Sequence, residues 1–208
     1  MKRILIVEDH PSYRTGLKVV LSDHFPALQF SEASTAREAE AIMRTSSFDL
    51  VVADINLPDI SGLDLLKRMR DQGIGVKVLV LSFHKEKAIA LRAIKMGADA
   101  YLSKDMPEAE LIHAVNLLMA GKKYLPDSLA VEMIDQITHP SSDPLELLSD
   151  REYQTLVLIA SGKSVSEIAE SLNLSTSTVN TYRSRILEKL GLKNNYEIMR
   201  LALDRGLT

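Results

Sequence analysis

Three short apolar runs, Ile4–Val7, Phe48–Ala53 and Val76–Leu81, recur through the first half of the chain, with segments of helical spacing between them. This alternation limits the fold more than any other feature. Each run is bounded by polar residues, Gly or Pro, as strands buried on both faces are. Weaker strands fit at Leu28–Ser31 and Ala98–Leu102. Helical periodicity covers Tyr13–Leu21, Ala36–Met43, Leu63–Arg70, Ala88–Met96 and Glu108–Ala120. Thr35 and Glu38 have capping-box spacing for the second of these. Strands that alternate with helices imply right-handed βαβ units. The expected architecture is a doubly wound, parallel, five-stranded α/β domain.

Ligands in such sheets bind beyond the carboxyl ends of the strands. The residues at those ends are Glu8 and Asp9 after the first strand, Asp54 at the third, Ser82 after the fourth and Lys104 after the fifth. Taken singly, each has an ordinary reading as a solvated loop, a cap or a surface charge. Together they place three carboxylates, a hydroxyl and an ammonium on one edge. Clustered carboxylates repel and recruit a cation, and hard oxygen donors suit Mg²⁺. A carboxylate beside Mg²⁺ and a lysine can act as a nucleophile toward phosphorus and form an acyl phosphate. Ser82 could then donate to a phosphoryl oxygen.

Composition supports a division of the chain. Residues 1–125 carry 17 basic and 16 acidic groups, residues 126–143 carry 4 acids and no base, and residues 144–208 carry 8 of each. The acidic stretch also holds Pro126 and Pro140, with Pro144 just past it, which marks a linker. The expected domains are 1–122, a linker at 123–143, and 144–208. With no cysteine there is no disulfide framework or thiolate metal site. No apolar run reaches the ~18 residues of a membrane span, and Glu8 and Asp9 interrupt the first apolar segment. A cytoplasmic protein without a membrane partner is expected.

The last 65 residues read as helices. Ser149 to Glu152 has capping spacing, Leu156, Ile159 and Ala160 continue an apolar stripe, and Gly162 breaks it. Val165, Ile168, Ala169 and Leu172 mark a short second helix, followed by the turn "LNLS". Ser175 caps a longer helix with Val179, Tyr182, Ile186, Leu187 and Leu190 inward and Gly191 as C-cap. A last helix runs about Tyr196–Leu203, with Ile198, Leu201 and Ala202 packing internally or against a second copy. Helix, turn, helix suits DNA when the outward face of the second helix does. Ser175, Thr178, Asn180, Thr181, Arg183, Ser184, Arg185 and Lys189 occupy that helix. Amides and hydroxyls there can reach base edges, and the cations can reach phosphates. The competing reading is a solvated face of a helical interaction domain.

Two stretches carry a resemblance. "ILIVEDH", "DLVVADINLPDISGLDLL", "VLVLS" and "GADAYLSKD" resemble the receiver domain of two-component response regulators over roughly residues 1–122. "LSDREYQTLVLIASGKSVSEIAESLNLSTSTVNTYRSRILEKLGL" is similar to the LuxR-type helix-turn-helix. The combination resembles the NarL/FixJ class of transcriptional regulators. The resemblance implies a flavodoxin-like receiver plus a small all-α DNA-binding domain. It implies Asp54 as phosphoacceptor for a sensor histidine kinase, and Glu8, Asp9, Asp54 and the backbone carbonyl of Asn56 as Mg²⁺ ligands. Lys104 would pair with the phosphoryl group, Ser82 would be the switch hydroxyl and Tyr101 the switch aromatic. DNA half-sites and homodimerisation on activation are the implied partners. Phe83 after the switch hydroxyl, Asp105 after the lysine, and Asn180 and Tyr182 in the reading helix depart from common family residues. The alternatives are a regulator independent of phosphorylation, or a protein-interaction module on the same fold. An aspartyl-phosphate phosphatase would usually want a second aspartate where this chain has Asn56, which argues against an enzyme.

Overall fold

The structure, a computed structural model, describes residues 2–83, 87–126 and 144–207. The chain divides into two compact units. In the first, strands and helices alternate: β1 (Arg3–Val7), α1 (Pro11–His24), β2 (Gln29–Ala33), α2 (Ala36–Thr45), β3 (Leu50–Asp54), α3 (Gly62–Asp71), β4 (Lys77–Ser82), α4 (Lys87–Lys95), β5 (Ala100–Ser103) and α5 (Glu108–Met119). The five strands form one parallel sheet in the order β2-β1-β3-β4-β5. This is the doubly wound α/β architecture expected from the alternation.

Side chains on a strand alternate between faces. Ile4, Ile6, Leu50, Val52, Leu79, Leu81, Ala100 and Leu102 share one face and form a core with Leu17 and Leu21 of α1 and Leu111, Ala114, Val115 and Leu118 of α5. The alternate residues Leu5, Val7, Val51, Ala53, Val78 and Val80 are equally buried on the other face. Because β1 connects leftward to β2 and every later crossover runs rightward, right-handed connections put α1 on one face and α2, α3 and α4 on the other. The order reverses between β1 and β3, and that gap opens a crevice at their carboxyl ends.

Local chemistry fixes the helix starts. Thr35 Oγ1 accepts the N–H of Glu38 at 3.0 Å. The Glu38 carboxylate, however, takes the N–H and hydroxyl of Ser34 at 2.7 and 2.9 Å, so the return half of the box falls one residue earlier than the spacing suggests. Asp59, in the loop after β3, reaches across to accept the N–H groups of Ala36 and Arg37 at 3.0 and 2.9 Å. Those are two of the donors that a helix start leaves without partners. After α5 the chain stays packed as far as Tyr124, whose hydroxyl donates to Glu110 at 3.0 Å and whose ring stands edge-on to His113. Most of the expected linker, residues 127–143, lies outside the described residues.

The second unit begins with a 3₁₀ turn, Pro144–Leu147, followed by α6 (Asp150–Ala160), α7 (Val165–Ser171), α8 (Thr176–Leu190) and α9 (Asn195–Asp204). Ser149 with Glu152 and Ser164 with Glu167 form complete capping boxes. Asn173 adopts φ 54° in the turn between α7 and α8, and Gly191 closes α8 at φ 66°. Leu156, Ile168, Leu172, Val179, Ile186, Ile198 and Ala202 are buried, so the last helix spends Ile198 and Ala202 internally. α6 packs against both α8 and α9, and α7 packs against α8. No helix among the described residues is long and apolar enough to cross a membrane.

Candidate functional site

Strand register lines up the polar residues at the sheet's carboxyl edge. Val7 pairs with Ala53, Asp54 with Leu81, and Ser82 with Ser103. Glu8 and Asp54 therefore leave their strands level with each other, and Ser82 and Lys104 follow one and two residues further along the neighbouring strands. The side chain of Lys104 is only 1% exposed. Its Nζ lies 2.6 Å from Glu8 Oε2 and 2.8 Å from Asp54 Oδ2. Burial pushes the Glu8 carboxyl above its usual range and the Asp54 charge adds to this, while Lys104 opposes both. Two carboxylates about 4 Å apart repel by about 4 kcal/mol at an effective dielectric near 20.

Three carboxylates face one ammonium, which leaves the cluster short of positive charge. Ligand atoms of Glu8, Asp9, His10 and Asp54 all lie within 4.8 Å of one another. His10 Nδ1 sits 2.8 Å from Asp9 Oδ1 and 3.3 Å from Glu8 Oε1. Asp54 Oδ1 is buried and accepts no hydrogen bond. A buried anionic oxygen without a donor costs several kcal/mol unless something neutralises it. Hard oxygens, a charge deficit and an orphaned atom fit a divalent cation such as Mg²⁺. Glu8, Asp9 and Asp54 would hold it.

The loop after β3 is built to approach Asp54. A Cβ added to Gly62 would lie far inside contact distance of the Asp54 carbonyl oxygen, so only glycine lets α3 begin there. The Gly62 N–H donates to Ile55 O at 2.8 Å, and Ser61 Oγ accepts the N–H of Leu63 at 3.2 Å. Asn56 is buried in this loop, two residues past Asp54. Ser82 is fully buried at the end of β4, with its carbonyl accepting the Lys104 N–H at 2.7 Å. Tyr101 is buried on β5 opposite Val80. Two neighbours were not singled out by their place in the sequence. The Tyr13 ring and the His10 imidazole join the cluster because α1 starts at Pro11, immediately after the acidic pair. Burial and the charges of Glu8, Asp54 and Asp105 push the Tyr13 phenol up.

In the second unit, Ser175 Oγ accepts the N–H of Thr178 at 3.1 Å and lies 2.7 Å from Ser177 Oγ and 2.8 Å from Thr178 Oγ1. Past this hydroxyl cluster, Asn180, Thr181, Ser184 and Arg185 are exposed on α8, while Val179 and Ile186 face inward. Arg183 and Lys189 are placed differently from those four. Arg183 Nε donates to Asn195 Oδ1. Lys189 Nζ donates to Glu152 Oε2 at 2.6 Å and to the Leu147 carbonyl at 3.2 Å. Burial acts to raise the Glu152 carboxyl, but Lys189 and the Ser149 donors outweigh it and hold it below its usual range. The structure thus brings Asn180, Thr181, Ser184 and Arg185 onto one exposed face and ties Arg183 and Lys189 to the domain's own side chains.

A five-stranded receiver-type sheet with an acidic, lysine-closed carboxyl edge, followed by a helix-turn-helix, defines a class of signalling regulators. Residues 4–116 match the family described as response regulator receiver domain, and residues 146–202 match bacterial regulatory proteins, luxR family. The chain is 34% identical over 209 residues to the response regulator UvrY of Escherichia coli (strain K12), covering all of this chain and 96% of that protein. A LuxR-family two-component response regulator from Aurantimonas sp. SI85-9A1 shares 30% identity at a TM-score of 0.58, over 66% of this chain and 98% of that one. RcsB from Salmonella enterica serovar Typhimurium, solved bound to the promoter rprA with the phosphomimetic BeF3-, has the same fold. It aligns at a TM-score of 0.60 and 20% identity over 96% of this chain and 98% of its own. The chain belongs to the two-component response regulators of the NarL/FixJ class, with a receiver and a LuxR-type DNA-binding domain. Proteins of this family regulate transcription. Receivers in general bind Mg²⁺ in an acidic pocket, and the Glu8, Asp9 and Asp54 cluster is such a pocket in composition.

Proposed function

We propose that Asp54 accepts a phosphoryl group from a partner histidine kinase and that this controls DNA binding by α8. The observation that carries the reading is Asp54 itself: one oxygen held by Lys104, the other buried, without a donor and beside Glu8 and Asp9. An Asp54 oxygen attacks phosphorus, the P–N bond of the donor phosphohistidine breaks, and the electron pair leaves with the imidazole. Glu8, Asp9, Asp54 and the Asn56 carbonyl would hold Mg²⁺, which would neutralise charge on the transferring group. Lys104 stays within reach of the new phosphoryl oxygens, and Ser82 turns its hydroxyl toward them. Tyr101, on the neighbouring strand, follows that movement and biases the receiver surface between two states. Intact-mass measurement with an acyl-phosphate donor tests this. Wild type gains one labile phosphoryl group that depends on Mg²⁺, and Asp54→Asn gains none. An equal gain by Asp54→Asn overturns the reading.

On the output side, α8 lies in the major groove with Asn180, Thr181 and Ser184 toward base edges. Arg185 and the Ser175 and Thr178 hydroxyls face phosphates. Arg183 and Lys189 reach DNA only by leaving Asn195 and Glu152. Asn180→Ala should lose ~1–3 kcal/mol of discrimination at one or two base positions. The readout is a titration at fixed salt on a selected operator, and unchanged base preference counts against this helix as the reader. One module makes few contacts, so tight binding needs two copies on paired half-sites. Tyr196, Met199 and Leu203 form an exposed apolar stripe at i, i+3 and i+7 on α9, and a second copy fits there. A regulator of this kind works with the chromosome in the cytoplasm.

A further inference from the structure

The two carboxylates occupy one side of the Lys104 ammonium, and ring faces occupy another. Nζ lies 4.7 Å from the ring centroid of Tyr13 and 5.1 Å from that of Phe83. The rings are 6.3 Å apart and tilted by 59°, so they form a corner over the cation. Tyr13 comes from α1 and Phe83 from the residue after β4, so the corner closes only in the folded sheet. Attraction between an ammonium and an aromatic face is strongest where water is excluded, and Lys104 is nearly inaccessible. Phe83 is 56% exposed. A lone exposed ring is unremarkable, but this one lies within cation–π range of a buried cation that contacts the proposed phosphoacceptor.

We propose that Tyr13 and Phe83 are positioning residues that clamp the Lys104 ammonium against Asp54, wall that side of the pocket from water, and so set the lifetime of the phosphoryl group. The inference rests on the phosphoacceptor reading above. Loss of the group is a hydrolysis. Water oxygen bonds to phosphorus, the P–O bond to Asp54 breaks, the electron pair returns to the carboxylate, and the proton leaves with inorganic phosphate. Attack must come in line with the bond that breaks, and the ring corner removes directions from which water can enter. It also holds Lys104 where the phosphoryl oxygens sit, which a mobile lysine would do only part of the time.

The test uses the full-length protein charged with phosphoramidate and Mg²⁺, freed of donor by desalting, with decay followed by intact mass. Tyr13→Leu and Phe83→Ala should each lose the phosphoryl group about three- to tenfold faster, the scale of one desolvated cation–π contact. Tyr13→Phe keeps the ring face and should decay like wild type. Mg²⁺ affinity by calorimetry should stay unchanged in all three, and the melting temperature should fall by no more than the few degrees that loss of one contact costs, leaving each variant folded under the assay conditions. Decay of Tyr13→Leu and Phe83→Ala at the wild-type rate overturns the inference, as does Tyr13→Phe decaying as fast as Tyr13→Leu. If wild type takes up no phosphoryl group at all, the phosphoacceptor reading falls and the clamp with it.

Discussion

Asp54 and Asp99 are buried aspartates at opposite ends of the same sheet. Asp99 precedes β5 at the amino edge. Its Oδ1 pairs with Lys77 at 2.9 Å, and its Oδ2 takes Arg70 at 3.2 Å and the Val78 N–H at 3.1 Å. Arg70 is itself saturated, donating to the carbonyls of Gly97, Ile74 and Val76. Asp54 has one oxygen on Lys104 and one with no hydrogen-bond donor. Burial alone does not separate the two residues. What separates them is satisfaction: a carboxylate with every oxygen matched holds the fold, and one left short holds room for a cation and a reaction.

The strongest way to break this contrast is to remove each carboxylate. Asp99→Ala leaves Arg70 and Lys77 without their buried counter-ion and should cost about 3–5 kcal/mol. Asp54→Asn removes a charge that repels Glu8 and should leave stability near wild type. Thermal and urea unfolding of the full chain without Mg²⁺ compares them, and a large loss in Asp54→Asn would erase the distinction. Next in size is the effect of the cation. At a hundredfold excess over its dissociation constant, Mg²⁺ should stabilise wild type by about 2.7 kcal/mol. Asp54→Asn should gain far less, and Asp99→Asn should gain as much as wild type. A melting series in MgCl₂ against the same ionic strength of NaCl reads this.

The smallest effect is at Asp59, which sits in the loop beside Asp54 but is satisfied like Asp99. Burial acts to raise its carboxyl, yet the N–H groups of Arg37 and Ala36 outweigh it and hold the pKa below its ordinary value. The folded state therefore gives up this proton before the unfolded chain does. The stabilisation is complete above the unfolded pKa near 3.9 and is lost as pH falls through the lower folded value. Asp59→Ala should cost on the order of 1 kcal/mol at pH 7, as loss of a cap does, and progressively less as pH falls through the folded value. A penalty independent of pH would mean that packing, and not the carboxylate, carries the contact.

Legibility follows how local each interaction is. β1, β3 and β4 are buried on both faces, so their apolar runs announce them. β2 is an edge strand of mixed burial, and it starts at Gln29 and runs on to Ala33 instead of spanning Leu28–Ser31. β5 similarly begins at Ala100, because Asp99 and Ala98 belong to the turn that meets Arg70. The edge cluster was readable because strand ends in a parallel sheet converge by topology. The Tyr13–Phe83 corner, the Arg70–Asp99 pair and the Lys189–Glu152 tether join residues far apart in sequence. No periodicity links them, and each becomes visible only when the elements are packed. Lys189 shows the cost of reading a helix face alone: spacing offers its charge to a phosphate, while the fold gives it a carboxylate first.

Gly62 takes no part in the chemistry, yet its missing side chain has a consequence for what mutation can reach. Every substitution at this position adds a Cβ, and every Cβ meets the carbonyl of Asp54, which belongs to a central strand and has nowhere to retreat. A saturation library scored by reporter output should therefore rank Gly62 beside Asp54 as a position that accepts nothing else, although a biochemist searching for reactive groups would pass over it. Neighbouring Pro58 is exposed and should tolerate many replacements in the same library, and replacements of the exposed Asp59 should cost only its cap on α2. The loop would then show a sharp step between freedom and total constraint within four residues, set by a single interatomic distance.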